Sequence, residues 1–83
     1  MKPFNWKEIK SEKENVRTVY SATFKNFPYS YEIHDRGEKG VKYKILREDY
    51  YSEKLVFSDV CRTLENAKTF CENYHWNILR HVA

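Results

Sequence analysis

The chain reads as an α+β domain in which a three- to four-stranded antiparallel β-meander packs against one C-terminal α-helix. Three observations predict this class. Residues 29–45 largely alternate apolar and polar side chains around the only two glycines, residues 16–24 are rich in β-branched and aromatic types, and residues 63–82 repeat apolar side chains at helical spacing behind a capping threonine. No linker, internal repeat or shift in composition divides the chain, so residues 1–83 make a single domain.

The elements follow in order. The segment Lys7 to Asn15 interleaves Lys7, Glu8, Lys10, Glu12, Lys13 and Glu14, which favours a solvated short helix or irregular arm pinned by Phe4, Trp6 and Ile9. From Val16 to Phe24 the residues Val16, Thr18, Tyr20, Ala22 and Phe24 fall on one side of a pleat, and Lys25-Asn26-Phe27-Pro28 ends the run. The clearest signal is a hairpin, with Tyr29 to Asp35 as one strand, Val41 to Ile45 as the other, and Gly37 and Gly40 in the turn to supply positive φ angles. A symmetric turn sets Ile33 opposite Tyr43 and Tyr31 opposite Ile45 on the buried face, with Glu32 opposite Lys44 and His34 opposite Lys42 on the other. After a loop at Arg47 to Glu53, Leu55 and Phe57 define a fourth short strand through Lys54–Ser58.

Thr63 is the N-cap of the terminal helix, and Glu65 in its first turn complements the positive end of the helix dipole. Asn66 stands where a capping box would place Glu or Gln. At helical spacing Leu64, Ala67, Cys71, Tyr74, Ile78 and Val82 form one stripe flanked by Phe70, and Thr69, Asn73, Trp76 and Arg80 fall opposite. An indole on that water-facing stripe either marks a contact or means that the helix stops near Tyr74 and the tail runs extended, with Trp76 and Ile78 turned inward together.

Composition sets further bounds. A domain of this length buries only a little over ~60% of the surface its unfolded chain exposes, so the seven Tyr, five Phe and two Trp should dominate the core. The first residues carry no apolar run of signal-peptide length, and nowhere do about 20 apolar residues follow one another. The expectation is a cytoplasmic protein without a membrane segment, whose Cys61 and Cys71 are reduced thiols, Cys71 as a small hydrophobe in the core.

Candidate chemistry is sparse. Cys61, Cys71, His75 and His81 form a loose series, but structural zinc sites begin with two cysteines only two to four residues apart, and this chain lacks that pair. His75 and His81 read instead as histidines near a helix end, favoured there by the dipole. A Cys–His nucleophile needs an exposed thiol, and Cys71 points into the predicted core. Glu32, Asp35, Glu38, Glu48 and Asp49 have no spacing that forces two carboxylates into one cleft, and two glycines cannot build a phosphate-cradling loop. No cofactor, metal site or catalytic residue is expected, and the chain reads as non-enzymatic.

Two surfaces remain. The loop Arg47-Glu48-Asp49-Tyr50-Tyr51-Ser52-Glu53 sets two tyrosines side by side among charges, and neighbours in extended chain point opposite ways, so at least one ring meets solvent. Tyr50, Tyr51 and Trp76, with Arg80 beside the indole, make the preferred patch for a protein partner, because Tyr, Trp and Arg are enriched at binding hot spots. The alternative is nucleic acid held by a modestly basic sheet face carrying Lys42 and Lys44, with Arg47 contributing from the loop beyond it, given the formal charge of +3. Against it, Tyr31 and Tyr43 alternate away from the lysines, which leaves no stacking platform beside them.

The run Thr63-Leu64-Glu65-Asn66-Ala67-Lys68, following a tyrosine-rich meander and leading into Cys71-Glu72-Asn73-Tyr74-His75, resembles the TLExAK-like helix start of many small phage and prophage proteins, with Asn66 in place of the usual second acid. The resemblance implies a protein that binds a host factor and inhibits or redirects it, defence systems included. It implies no active-site residue.

Overall fold

The computed structural model describes residues 4–11 and 16–82. Five antiparallel strands lie side by side in chain order, and one helix covers one face of the sheet. The strands are β1 (Lys7–Lys10), β2 (Thr18–Ala22), β3 (Tyr29–Asp35), β4 (Val41–Glu48) and β5 (Glu53–Cys61), and the helix is α1 (Leu64–Val82). The α+β class and the meander are as the sequence predicts, but the strands number five where three or four were expected.

The additional strand is β1, in a segment whose charges favoured a short helix or arm. All four of its residues are exposed, so it shows no amphipathic pattern. Its pairing partner forms it: Ile9 lies opposite Val19 and Lys10 opposite Thr18. Just before it, Phe4 N–H and Trp6 Nε1–H both donate to Glu72 Oε2 on α1, each at 3.1 Å. Residues 12–15 of the expected arm lie outside the described residues.

The β3–β4 hairpin has the predicted register, with Ile33 opposite Tyr43, Tyr31 opposite Ile45, Glu32 opposite Lys44 and His34 opposite Lys42. Its turn contains a 3₁₀ segment at Gly37–Lys39, and both glycines have positive φ, 64° at Gly37 and 89° at Gly40. The Asp35 carboxylate accepts the Gly37 amide at 3.0 Å, which closes the turn. Strand β5 runs to Cys61, three residues past its predicted end, because Asp59, Val60 and Cys61 continue the pairing with Tyr43, Lys42 and Val41. A bulge between Ile45 and Leu46 leaves Val56 as the extra residue of β5.

The helix starts where the threonine caps it: Thr63 Oγ1 accepts the Asn66 amide at 3.1 Å. It continues unbroken to Val82, so the extended tail does not occur. Its buried line is Ala67, Cys71 and His75. That line is rotated from the predicted stripe toward Glu72 and Trp76, because the Phe4–Trp6 arm packs against that flank and shields it. Trp76 is therefore half-buried, its ring edge-on to His75. Val82, expected on the stripe, has its side chain outside the described ones.

The core is aromatic at one end and aliphatic in the middle, where Ile33, Val41 and Ile45 meet Ala67 and Cys71. At the aromatic end His75, 4% exposed, stacks on Phe24 at 4.3 Å and meets Phe4, Phe27 and Tyr31 edge-on. Its Nδ1 shares a hydrogen bond of 3.0 Å with the Tyr31 hydroxyl. Burial lowers the His75 pKa and favours the neutral ring, so this histidine is no dipole-stabilised cation near a helix end. No helix among the described residues is long and apolar enough to cross a membrane.

Candidate protein-interaction surface

Strand β5 is one edge of the sheet, and among the described residues no strand pairs with its outer side. Its row of outward N–H and C=O groups can accept another strand. The opposite edge is blunted, since β1 offers four residues, three of them charged. β5 is nine residues long and carries Leu-Val-Phe at its centre without proline.

The side chains beside that edge are equally unbalanced. Of the eight large apolar side chains exposed among the described residues, seven lie on β5, on the turn that enters it or on the helix face next to it: Tyr50, Tyr51, Leu55, Val56, Phe57, Val60 and Phe70. The eighth, Ile9, is on β1. Phe57 and Phe70 stack at 5.5 Å and lean on Tyr43, yet each leaves more than a third of its surface in water. Scattered exposed hydrophobes need no explanation, but their concentration along both faces of one unpaired edge makes that edge the candidate contact surface.

The Asp49–Ser52 turn presents the tyrosines at one end of this edge. Asp49 N–H donates to Ser52 O at 2.8 Å, and the Asp49 carboxylate accepts the Tyr50 amide at 2.7 Å and sits 3.5 Å from Lys54 Nζ. With the turn held so, the rings project outward, Tyr50 96% and Tyr51 99% exposed, tilted against each other at 6.4 Å. At least one of the two rings was expected to meet solvent, and both do.

The other two members of the predicted patch are elsewhere. Trp76 lines an open depression of about 480 Å³ with Phe4, Ala22, Phe24 and His75, and its buried indole N–H has no hydrogen-bond partner among the described residues. Among the described residues its ring partner is His75, and Tyr50 and Tyr51 make ring contact with each other alone. Arg80 is exposed in the last turn of α1. The sequence places Trp76 by helical angle alone and gives no sign that the Phe4–Trp6 arm packs against this flank of the helix.

The basic alternative also divides. Lys42 and Lys44 stand on the open sheet face opposite His34 and Glu32, and the Glu32 carboxylate contacts His34 Nε2 at 3.1 Å. Arg47 lies opposite Tyr29 on the helix-facing side and sets its guanidinium 5.6 Å from that ring. The grouping of Arg47 with the two lysines does not hold. The open-face positions of β2 to β5 include Val19, Ser21, Ser30, Leu46, Leu55, Ser58 and Val60, none of them aromatic.

The thiols differ in setting. Cys71 is fully buried, and burial pushes its pKa up to about 12, which removes the thiolate that nucleophilic or metal chemistry requires. Cys61 is half-buried and donates to Thr63 O at 3.2 Å. Among the described residues no three of His, Cys, Asp and Glu gather as metal ligands. A scan against protein-family models finds no match, and searches of curated proteins and of solved structures likewise return none.

Leu55, Val60 and Phe70 were absent from the predicted patch. For Leu55 and Val60 the signal in the sequence was the long β-prone run from Lys54 to Cys61 at the end of a meander, where the last strand has a free side, and for Phe70 its place beside the apolar stripe of the helix.

Proposed function

We propose that this chain is a small, non-enzymatic, cytoplasmic protein-binding module that meets its partner along β5, with Tyr50 and Tyr51 at one end of the contact and Phe57 and Phe70 at its middle. The observation that carries this reading is the gathering of seven exposed apolar side chains on one unpaired edge. Strand addition supplies main-chain hydrogen bonds to any extended partner, and the flanking rings supply selectivity. Trp76 and Arg80 leave the proposed contact. The phage-type reading, a modulator of a host protein, has the Thr63–Lys68 resemblance as its support.

Capture from a bacterial lysate on immobilised chain tests the proposal. Protein retained by the wild type should be lost with Tyr51→Ala and with Phe57→Ser, and kept with Trp76→Ala and with the Lys42→Ala/Lys44→Ala pair. Retention should change little between low and moderate salt, because few phosphate charges are neutralised. Retention of nucleic acid that falls steeply with salt and needs Lys42 and Lys44 would put the basic face in its place.

A further inference from the structure

We infer that the edge of β5 is made to pair with β5 of a second copy of this chain, which names the partner of the surface proposed above and rests on that reading. In an antiparallel pair, directly opposite residues lie on the same face of the sheet. Along β5 the helix-facing side holds Lys54 (opposite Arg47), Phe57 (opposite Ile45) and Asp59 (opposite Tyr43), and the open side holds Leu55 (opposite Leu46), Ser58 (opposite Lys44) and Val60 (opposite Lys42). Val56, the bulge residue, shifts the alternation by one between the two halves of the strand.

This shift, together with charge, narrows the pairing. A two-fold axis through Phe57 would set Leu55 of the open side against Asp59 of the helix side, so the full strand cannot pair that way. An axis through Asp59 would set two carboxylates directly opposite each other. An axis between Val56 and Phe57 matches both faces. Lys54 then meets Asp59 of the second copy, Leu55 meets Ser58, and Glu53 meets Val60, each pair on its own side of the sheet. Every pair occurs twice, so the contact is closed and self-complementary.

Charge and packing agree with that register. Lys54 and Asp59 are both exposed and opposite in sign, and each is lightly engaged in the single chain, Lys54 at 3.5 Å from Asp49 and Asp59 accepting its neighbour's Val60 amide at 2.8 Å. When Asp59 turns to Lys54 of the second copy, the Val60 N–H is released for the incoming strand. Phe57 and Phe70 of both copies then flank the seam on the helix side, and the Tyr50–Tyr51 turn of each copy comes alongside Arg62 of the other. The product is a continuous ten-stranded sheet with both helices on one face.

Sedimentation over a concentration series tests this with charge variants at exposed positions. The wild type should reach twice 10.1 kDa as concentration rises. Lys54→Asp or Asp59→Lys alone opposes like charges at both ends of the seam and should weaken the dimer by about tenfold or more. The double variant Lys54→Asp/Asp59→Lys restores opposite pairs and should recover dimerisation. A wild type that stays at 10.1 kDa throughout overturns self-pairing, and so does a dimer that both single variants leave unchanged or that the double variant fails to restore. A monomer that still captures another protein through Tyr51 and Phe57 would end this inference and leave the binding proposal standing.

Discussion

The His75 ring lies against Phe4, Phe24, Phe27, Tyr31 and Trp76, and burial holds its pKa below the ordinary value, so the folded chain refuses a proton that the unfolded chain accepts. Stability contributed this way is complete above the unfolded value near 6.5 and declines as pH falls from there through the lower folded value. Melting followed by circular dichroism should therefore give a Tm that drops between neutral pH and pH ~5, and His75→Phe should flatten that slope. Glu72 is the second residue whose role is local and strong. Its Oε2 accepts from both Phe4 N–H and Trp6 Nε1–H, so Glu72→Ala orphans two donors together. The expected cost is about 1–3 kcal/mol, read as roughly 4–8 °C of Tm per kcal/mol in a domain of this size, with Trp6 emission shifted to the red. Glu72→Gln keeps an acceptor and should lose less. The thiols separate in the same way: at neutral pH a thiol reagent should leave Cys71 unmodified until the chain unfolds.

At the level of elements, the β3–β4 turn gives a direct test of why two glycines stand where they do. Gly40 has φ 89° and ψ −171°, and a Cβ there would lie 3.0 Å from the Cys61 carbonyl oxygen, so backbone and neighbour both resist a side chain. Gly40→Ala should cost on the order of 1–3 kcal/mol in denaturant melts. Gly37 at φ 64° is ordinary left-handed backbone, and a Cβ there meets only the flexible Arg17 guanidinium, so Gly37→Asn should cost much less. The register of this hairpin and the helix cap were legible in the sequence, because alternation, turn glycines and a capping threonine are local signals that tertiary contacts did not overrule; the strand ends were not, since β4 continues past Ile45 to Glu48 and β5 begins at Glu53, which reduces the expected loop Arg47–Glu53 to a turn at Asp49–Ser52. Strand β1 was not legible, since Lys7-Glu8-Ile9-Lys10 has one apolar residue and is a strand only through pairing with Val19 and its neighbours. Arg47 was expected in the loop beyond this strand, but β4 runs on to Glu48, and alternation from Ile45 then puts Arg47 on the helix side.

The whole molecule, 39 × 31 × 20 Å, is a two-layer domain with one helix over a five-stranded sheet. Its two edges differ in kind: β1 is short and charged, while β5 is long, apolar and accompanied by rings from the turn and the helix. That asymmetry was half visible in the sequence, where Tyr50 and Tyr51 stood out and the free side of the last strand did not. Trp76 drew attention away from the edge because its burial depends on Phe4 and Trp6, distant in sequence and brought to α1 by Glu72. The most direct measurement is photocrosslinking in bacterial lysate with a benzophenone side chain placed singly at Tyr51, Phe57, Ile9 or Lys44. The account predicts protein adducts from positions 51 and 57, a second copy of the chain among them, and none from 9 and 44. Nucleic-acid adducts from 44, or no protein adduct from either 51 or 57, would contradict it.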